Sequence, residues 1–124
     1  DQRVVNLERT NIRHLAADQL DETPDLAVID ASFISLAKVL PATLAHLQPA
    51  SDIIALIKPQ FEVGKGQVGK GGVVRDPEQH LQVIENIKLI ADTSGCQVVS
   101  TCESPILGPK GNREFLIHLR TGRL

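Results

Sequence analysis

The stretch Asp25–Asp30 (DLAVID) decides the fold of this 124-residue chain. Its centre, Leu26–Ile29, is a continuous apolar run with β-branched residues, which is typical of a strand buried on both faces of a sheet. A second run of the same kind, Ile53–Ile57 (IIALI), follows a segment in which leucine and valine recur at helical spacing. The order strand, helix, strand predicts a parallel α/β unit.

Two helices are predicted beside these strands. The first covers the periodic residues from Leu36 to Leu47, and Pro41 inside it predicts a kink or a new first turn. The second begins with the tetrapeptide DPEQ at Asp76, which combines an N-cap, a first-turn proline and a capping-box partner. It is expected to end near Gly95, a plausible C-cap.

The remaining elements are assigned from shorter patterns. Arg3–Leu7 (RVVNL) is a strand candidate, and Glu8–Asp21 after it is expected to hold one helix. Gln97–Thr101 and Phe115–Arg120 are the last two strands, and their connection is short, rich in proline and glycine, and without a helical pattern. Because a parallel crossover needs a longer connection, the last strand is expected to be antiparallel in an otherwise mostly parallel sheet.

Composition excludes several classes of protein. Apolar residues make up 42% and charged residues 23%, as in a globular protein and unlike a disordered one. No apolar run approaches the ~20 residues of a membrane span, and the net charge of −2 argues against a free-standing nucleic-acid binder.

Cys96 and Cys102 lack metal-ligand spacing, so we expect reduced thiols, a cytoplasmic protein and no metal site. The chain has no methionine and opens at Asp1, so we expect a piece of a longer protein.

Three polar side chains are expected to meet at one edge of the sheet. Asp30 ends the first buried strand and Lys58 follows the second. The carboxyl ends of parallel strands form the edge where open α/β sheets bind ligands. An antiparallel last strand begins at that edge, which brings Glu114 there. Each of these residues, taken singly, has a plain explanation as a helix cap or a solvated strand end. Because all three are expected at the same edge, a functional site is favoured.

A glycine-rich loop after the second strand carries a weak phosphate-binding motif. Gly64–Lys70 (GKGQVGK) has P-loop spacing, but Gly71 follows where magnesium coordination needs serine or threonine, and no helical pattern begins there. Two alternatives stay open. The loop is either a basic segment that contacts RNA phosphates through Lys65, Lys70 and Arg75, or a solvated loop without a binding role.

Six segments of the chain resemble the TlyA family, whose members carry the name hemolysin but belong to the FtsJ-like ribose 2′-O-methyltransferases. In order along nearly the whole chain they are LERTNIR (Leu7–Arg13), VIDASFISL (Val28–Leu36), LPA (Leu40–Ala42), LIKPQFEVG (Leu56–Gly64), KGGVVRDP (Lys70–Pro77) and SPILGPKGNREFL (Ser104–Leu116). The KPQFE and GPKGN-x-EF motifs are specific.

This resemblance implies an enzyme that uses S-adenosylmethionine to methylate a ribose 2′-hydroxyl in ribosomal RNA or ribosomal subunits. FtsJ-like enzymes use a Lys-Asp-Lys-Glu tetrad, and Asp30, Lys58 and Glu114 occupy the positions of its last three members. The first lysine, the glycine-rich cofactor loop and the N-terminal RNA-binding domain belong upstream. Residues 1–124 are therefore expected to be the C-terminal portion of the methyltransferase domain, a partial Rossmann-like fold that is inactive alone.

The resemblance also implies contacts with cofactor and RNA. The candidate cofactor contacts are Thr10, Asn11 and Asp30, and for the first two a simple helix cap is an equal alternative. Isolated surface cations are the plain alternative for the candidate RNA contacts, which are Arg9, Arg13, Lys65, Lys70, Arg75, Lys110 and Arg113. Lys58 is the candidate base, although nearby carboxylates favour its charged form, so we expect an ammonium whose alternative role is to stabilise the developing alkoxide.

Two other classes of function compete with the enzyme. One is a non-catalytic α/β module that binds RNA or a protein partner. The other is membrane lysis, as the name hemolysin suggests, although the sequence offers no apolar span and no basic amphipathic helix. Whichever applies, the strand at Leu26–Asp30 lacks the neighbour that the methyltransferase fold gives it, so we expect the chain to self-associate through that edge.

Overall fold

Within residues 1–64 and 66–122, which the computed structural model describes, four strands form one sheet against which two α-helices pack. The strands are β1 (Leu26–Ile29), β2 (Asp52–Ile57), β3 (Cys96–Glu103) and β4 (Phe115–Thr121), and the helices are α1 (Leu36–Leu44) and α2 (Pro77–Thr93). The order across the sheet is β1-β2-β4-β3.

Strand directions agree with the sequence prediction. β1 and β2 are parallel, and β4 lies between β2 and β3, antiparallel to both. Three strands therefore point the same way and the last one opposes them, which confirms the mixed α/β fold. Because β4 is inserted, the only parallel hydrogen-bonded pair in the described part of the chain is β1 with β2. In the register, Ile57 at the end of β2 faces Phe115 at the start of β4.

One face of the sheet forms the hydrophobic core. Side chains alternate along β2, so that Ile53, Ala55 and Ile57 are buried while those between them are half-buried. The buried residues form one cluster with Leu40 of α1 and Ile87 of α2. Both helices therefore pack against the same face of the sheet. In the described residues, no helix is both long and apolar enough to cross a membrane.

The helices start where their caps predict. Ser35 caps α1, and its Oγ accepts a hydrogen bond of 3.0 Å from the backbone N–H of Ala37. Asp76 caps α2 in the same way, through the N–H of Glu78 at 2.9 Å. The predicted restart at Pro41 is wrong, because α1 continues through this residue. A proline there removes only one ladder bond of the helix.

The N-terminal predictions are wrong. Arg3–Leu7 forms no strand, and the stretch after it holds two short 3-10 turns, Ile12–His14 and Ala17–Gln19, in place of one helix. Val4 and Val5 are exposed, and no described strand pairs with this segment. A lone extended segment leaves its backbone N–H and C=O groups to water, so β-branched residues do not make it a strand.

Candidate functional site

Three chain connections meet at the edge where β1 and β2 end and β4 begins. They are the turn after β1 (residues 30–35), the turn after β2 (residues 58–62) and the turn before β4 (residues 108–114), and we call them together the polar edge. Parallel pairing of β1 with β2 and antiparallel insertion of β4 bring these connections together.

Lys58 is the buried centre of the polar edge. The residue is 8% exposed, and its Nζ donates to a carboxylate oxygen of Asp30 and to Ser32 Oγ at 3.1 Å. The side chain of Asp30, by contrast, is 64% exposed. A lysine ammonium has three N–H donors, so these two contacts from described residues leave one N–H for another oxygen. Lys58 and Asp30, expected to meet from the strand ends, are in direct contact.

Glu114 reaches the same edge but contacts a different residue. The register that pairs Ile57 with Phe115 puts Glu114 opposite Lys58, yet its buried carboxylate accepts a hydrogen bond from Gln60 Nε2 at 2.9 Å. Gly108 packs directly against that carboxylate. The structure therefore brings Asp30 and Lys58 into contact, whereas Glu114 joins them through the turn after β2.

Glu62 ties the turn after β2 to the start of α1. Its two carboxylate oxygens accept from Ser35 Oγ at 2.7 Å and from the backbone N–H of Leu36 at 2.9 Å. Burial raises the pKa of Glu62, against the effect of these hydrogen bonds. The rings of Phe33 and Phe61 reinforce the same junction, with centroids 4.8 Å apart. Several side chains therefore join the turn after β1 to the turn after β2, in addition to the pairing of β1 with β2.

Phe33 is held out of the core. It is 89% exposed, and its φ of 61° lies in the left-handed region that side chains rarely adopt. A cavity of about 280 Å³ lies beside it, lined by Gln60, Phe61 and Lys110 among others. An exposed aromatic ring at the mouth of a cavity is a surface on which a flat ligand can stack.

The second half of the glycine-rich loop is fixed to the polar edge. Asn112 is buried, and its Oδ1 accepts from the N–H of Val74 at 3.0 Å while its Nδ2 donates to the carbonyl of Gly72 at 3.0 Å. His80 Nε2 donates to the carbonyl of Val74 at 2.7 Å. A 3-10 turn occupies Lys70–Gly72, whereas a P-loop opens directly into an α-helix. The P-loop interpretation is therefore wrong.

The candidate cofactor contacts near the N-terminus make local hydrogen bonds. Thr10 Oγ1 donates to the carbonyl of Glu8 at 3.0 Å, and Asn11 Oδ1 accepts from the N–H of Arg13 at 3.0 Å as an N-cap. Both residues are exposed. The N-cap hydrogen bond of Asn11 agrees with the helix-cap alternative for that residue. A cofactor role for Thr10 or Asn11 stays a prediction.

The candidate RNA contacts fall into two groups on the surface. Lys70, Arg75 and Lys110 lie around the fixed half of the glycine loop, where Arg75 Nη1 donates to the carbonyl of Lys70 at 2.9 Å and the Lys110 side chain extends beside Gly72. Arg113 is nearby in sequence and faces Glu103 across 3.8 Å. Arg9 and Arg13 are exposed in the N-terminal segment, and Lys65 lies outside the described residues.

Sequence reasoning missed the side chains that connect the turns. Gln60, Glu62 and Asn112 lie inside the KPQFE and GPKGN motifs, but their partners are distant in sequence, so no local pattern marked them. Phe33 lies in the segment VIDASFISL, and no residue pattern in that segment predicts the positive φ of Phe33.

Known proteins resemble this chain in sequence and in structure. The family model described as FtsJ-like methyltransferase matches residues 1–121. A Mycobacterium tuberculosis protein named 16S/23S rRNA (cytidine-2′-O)-methyltransferase TlyA is 49% identical over 121 residues, which are 98% of this chain and 45% of that protein. A solved structure from Lactococcus lactis, described as a hemolysin, superposes with a TM-score of 0.94 at 42% identity, over 99% of this chain and 60% of that one.

A more distant structure agrees in fold alone. A SAM-dependent methyltransferase from Methanosarcina mazei superposes with a TM-score of 0.54 at 14% identity, covering 89% of this chain and 66% of that one. The chain spans about half the length of the curated relatives it matches. Matched by the family model over nearly its whole length, the chain belongs to the FtsJ-like methyltransferase family.

Proposed function

We propose that the protein containing this chain transfers a methyl group from S-adenosylmethionine to a ribose 2′-hydroxyl of ribosomal RNA. We place residues 1–124 in the C-terminal part of its methyltransferase domain, and we expect the activity to need more of the protein, since the chain covers 45% of the mycobacterial relative. The observation that carries the proposal is Lys58, a buried lysine whose Nζ contacts Asp30 and Ser32 at the edge of the sheet. The rRNA methyltransferase name of the mycobacterial relative supports the choice of substrate. That substrate suggests a cytoplasmic location.

The residues assigned to the cofactor fit its polar groups. The exposed carboxylate of Asp30 suits the hydroxyl and ammonium groups of S-adenosylmethionine, and Thr10 and Asn11 offer further hydrogen-bonding groups. When bound, S-adenosylmethionine supplies a methyl group already activated by the positive sulfur. The protein therefore has to align the acceptor and remove one proton.

Lys58 and Asp30 perform the proton transfer. The third N–H of Lys58 would donate to the ribose 2′-oxygen and hold the acceptor at the polar edge. Lys58 first passes a proton to the Asp30 carboxylate, and the amine so formed would then turn its lone pair to the ribose and accept the proton that the 2′-hydroxyl loses. Lys58 remains an ammonium before and after the step, and Asp30, 64% exposed, returns the proton to water.

The surrounding residues hold the nucleotide and the site. Glu114 and Gln60 fix the turn that carries Lys58. The exposed ring of Phe33 offers a face for a base, because base–aromatic stacking stabilises extruded nucleotides. Lys110 and the other cations around the glycine loop contact phosphates, with the salt dependence that such contacts have.

Methyl transfer from labelled S-adenosylmethionine to ribosomal RNA tests the proposal. The full-length gene product is expected to be active, and Lys58→Ala is expected to lose at least about 100-fold, the usual size of a lost proton-transfer group. Lys38→Ala removes an exposed lysine of α1 and is the matched control. Full activity of Lys58→Ala, or no transfer by the wild type to free RNA and to both subunits, would contradict the proposal.

We also propose that the isolated chain self-associates through the free edge of β1. β1 has one partner strand among the described residues, and Leu26 and Val28 on it are 55% and 73% exposed. An apolar unpaired edge is a template for another strand, and lysine blocks such edges. Light scattering is expected to show oligomers that disappear in Val28→Lys and persist in Val99→Lys, at the other edge. A monomer at every concentration would refute this pairing.

A further inference from the structure

Ser32 carries a hydroxyl hydrogen that the proposed reaction does not use. Its Oγ accepts a hydrogen bond from Lys58 Nζ at 3.1 Å. A lysine ammonium donates hydrogen bonds and accepts none, so the O–H of Ser32 has to donate to a different group. Within the described part of the chain, Ser32 Oγ makes no other hydrogen bond, and the residue is exposed. The hydroxyl hydrogen is therefore available to a ligand.

The cavity beside Ser32 suits an anion. Ser32 and Lys110 both line the cavity of about 280 Å³, and none of the described residues that line it is acidic. The Nζ of Lys110 lies beside Gly72 and forms no ion pair with a described carboxylate. Hydrogen bonds from hydroxyl and ammonium groups to an ionised oxygen are among the stronger ones in proteins. This combination favours a phosphate or a carboxylate group as the ligand.

Two residues of the same cavity have a strained backbone. Phe33 and Lys110 line it, and their φ angles of 61° and 62° lie in the left-handed region that side chains rarely adopt. Strain of this kind clusters at active sites and ligand clamps. It supports a ligand-binding role for the cavity.

We propose that the Ser32 hydroxyl donates a hydrogen bond to the phosphate on the 3′ side of the acceptor ribose, with Lys110 supplying positive charge. The inference rests on the proposed function, in which Lys58 contacts the ribose 2′-oxygen. In RNA the 2′-oxygen and the 3′-oxygen sit on neighbouring carbons, and the 3′-oxygen carries the phosphate. Ser32 Oγ contacts the same Nζ, so an RNA whose 2′-oxygen lies on Lys58 brings this phosphate toward Ser32. Two contacts on one nucleotide fix the direction of the 2′-hydroxyl.

Replacement of single phosphate oxygens by sulfur tests this contact. The full-length gene product first methylates ribosomal RNA, and mass spectrometry locates the modified nucleotide. RNA fragments are then prepared with the natural 3′-phosphate at that nucleotide, or with sulfur in place of one or the other non-bridging oxygen. Sulfur keeps the negative charge but is a weak acceptor. The wild type is expected to lose about tenfold in kcat/KM on one of the two sulfur fragments, the size of a lost hydrogen bond to a charged group.

The Ser32→Ala variant separates recognition from stability. It has no hydroxyl to donate, so it is expected to methylate the natural and sulfur fragments at equal rates. Loss of the acceptor for Lys58 lowers both rates and leaves their ratio unchanged. Ser32→Thr keeps a hydroxyl and is expected to keep the wild-type ratio. Ser100→Ala removes an exposed serine of β3 and is the matched control.

Nucleoside monophosphates test the phosphate contact without methyl transfer. The four nucleoside 3′-monophosphates and their 5′ isomers are titrated into the full-length gene product with S-adenosylhomocysteine, and NMR measures their dissociation constants. The wild type is expected to bind at least one 3′ isomer about tenfold more tightly than its 5′ isomer. Ser32→Ala is expected to lose most of this preference, whereas Ser32→Thr retains it.

The combined results separate the role of Ser32 from the proposed reaction. A sulfur effect in Ser32→Ala equal to that of the wild type, or no sulfur effect in the wild type, overturns the role of Ser32 while leaving the methyltransferase intact. A higher KM for S-adenosylmethionine in Ser32→Ala, with the sulfur effect unchanged, overturns it in favour of a contact with the cofactor's carboxylate. A preference for a 3′-monophosphate that depends on Ser32, in a protein that methylates no RNA, upholds the phosphate site and refutes the proposed reaction. Neither methyl transfer nor that preference refutes both.

Discussion

Replacement of Gly108 by alanine tests how tightly the turn before β4 holds Glu114. A Cβ at position 108 would lie 2.2 Å from Glu114 Oε2 and 2.5 Å from its Cδ, so the carboxylate has to move. The φ of Gly108 is −79°, which alanine adopts without strain. The expected cost is therefore the charge-assisted hydrogen bond from Gln60, about 1.5–3 kcal/mol. The lower chain entropy of alanine in the unfolded state offsets about 0.4–1 kcal/mol of it.

Urea unfolding of the 124-residue chain measures the difference, with a net loss of about 1–2 kcal/mol expected. A double-mutant cycle with Glu114→Ala shows whether the cost of Gly108→Ala comes from the contact with Glu114. In a Glu114→Ala background the obstacle is gone, so Gly108→Ala is expected to become neutral or stabilising. Gly64→Ala is the matched control, because its Cβ would meet only Gln67 Cγ at an ordinary 3.7 Å. An equal cost of Gly108→Ala in both backgrounds would refute the contact with Glu114.

Three further changes probe hydrogen-bonded side chains other than Lys58 and Asp30. Asn112→Ala is expected to cost about 2–4 kcal/mol in urea unfolding, because it leaves the buried N–H of Val74 without a partner. A cost below about 1 kcal/mol, the size of one ordinary hydrogen bond, would contradict this anchoring role. Hydrogen bonds from His118 and Arg120 lower the pKa of Asp52. The stability that Asp52 contributes is therefore complete above the ordinary aspartate pKa and is lost as pH falls through the lowered pKa. Asp52→Asn is expected to lack this loss. Burial raises the pKa of Glu62, so stability relative to Glu62→Gln should decline as pH rises from the ordinary glutamate value through the raised pKa. Urea titrations across the acidic range measure both pH effects, and curves parallel to the wild type would contradict either one.

The fold was predictable where local patterns and packing agree. The apolar runs of β1 and β2 and the capping residues of α2 each require the element that forms. Arg3–Leu7 has the same β-branched composition as a strand but no described strand beside it, so propensity alone predicted the wrong state. The direction of β4 followed from the length of its connection, whereas its position between β2 and β3 depends on which strands pair, which no local pattern encodes.

The candidate site was predictable only as far as the strand ends determine it. Asp30, Lys58 and Glu114 follow from the rule that ligands bind at the carboxyl ends of parallel strands. Hydrogen-bond partners do not follow from that rule. Nothing in the sequence indicates that Glu114 bonds to Gln60 instead of Lys58, because that choice depends on side-chain directions within a 3-10 turn.

The turn after β2 gives each residue of the pentapeptide KPQFE, Lys58–Glu62, a defined place. Lys58, Gln60 and Glu62 alternate along it, and each contacts a different structure: the carboxylate after β1, the carboxylate before β4, and the start of α1. The two residues between them are apolar, with Pro59 buried and Phe61 against the exposed ring after β1. All five side chains are therefore constrained by contacts outside their own segment. A substitution at any of them would disturb the turn that holds Lys58 against Asp30, so the geometry of the proposed proton-transfer pair depends on the whole segment.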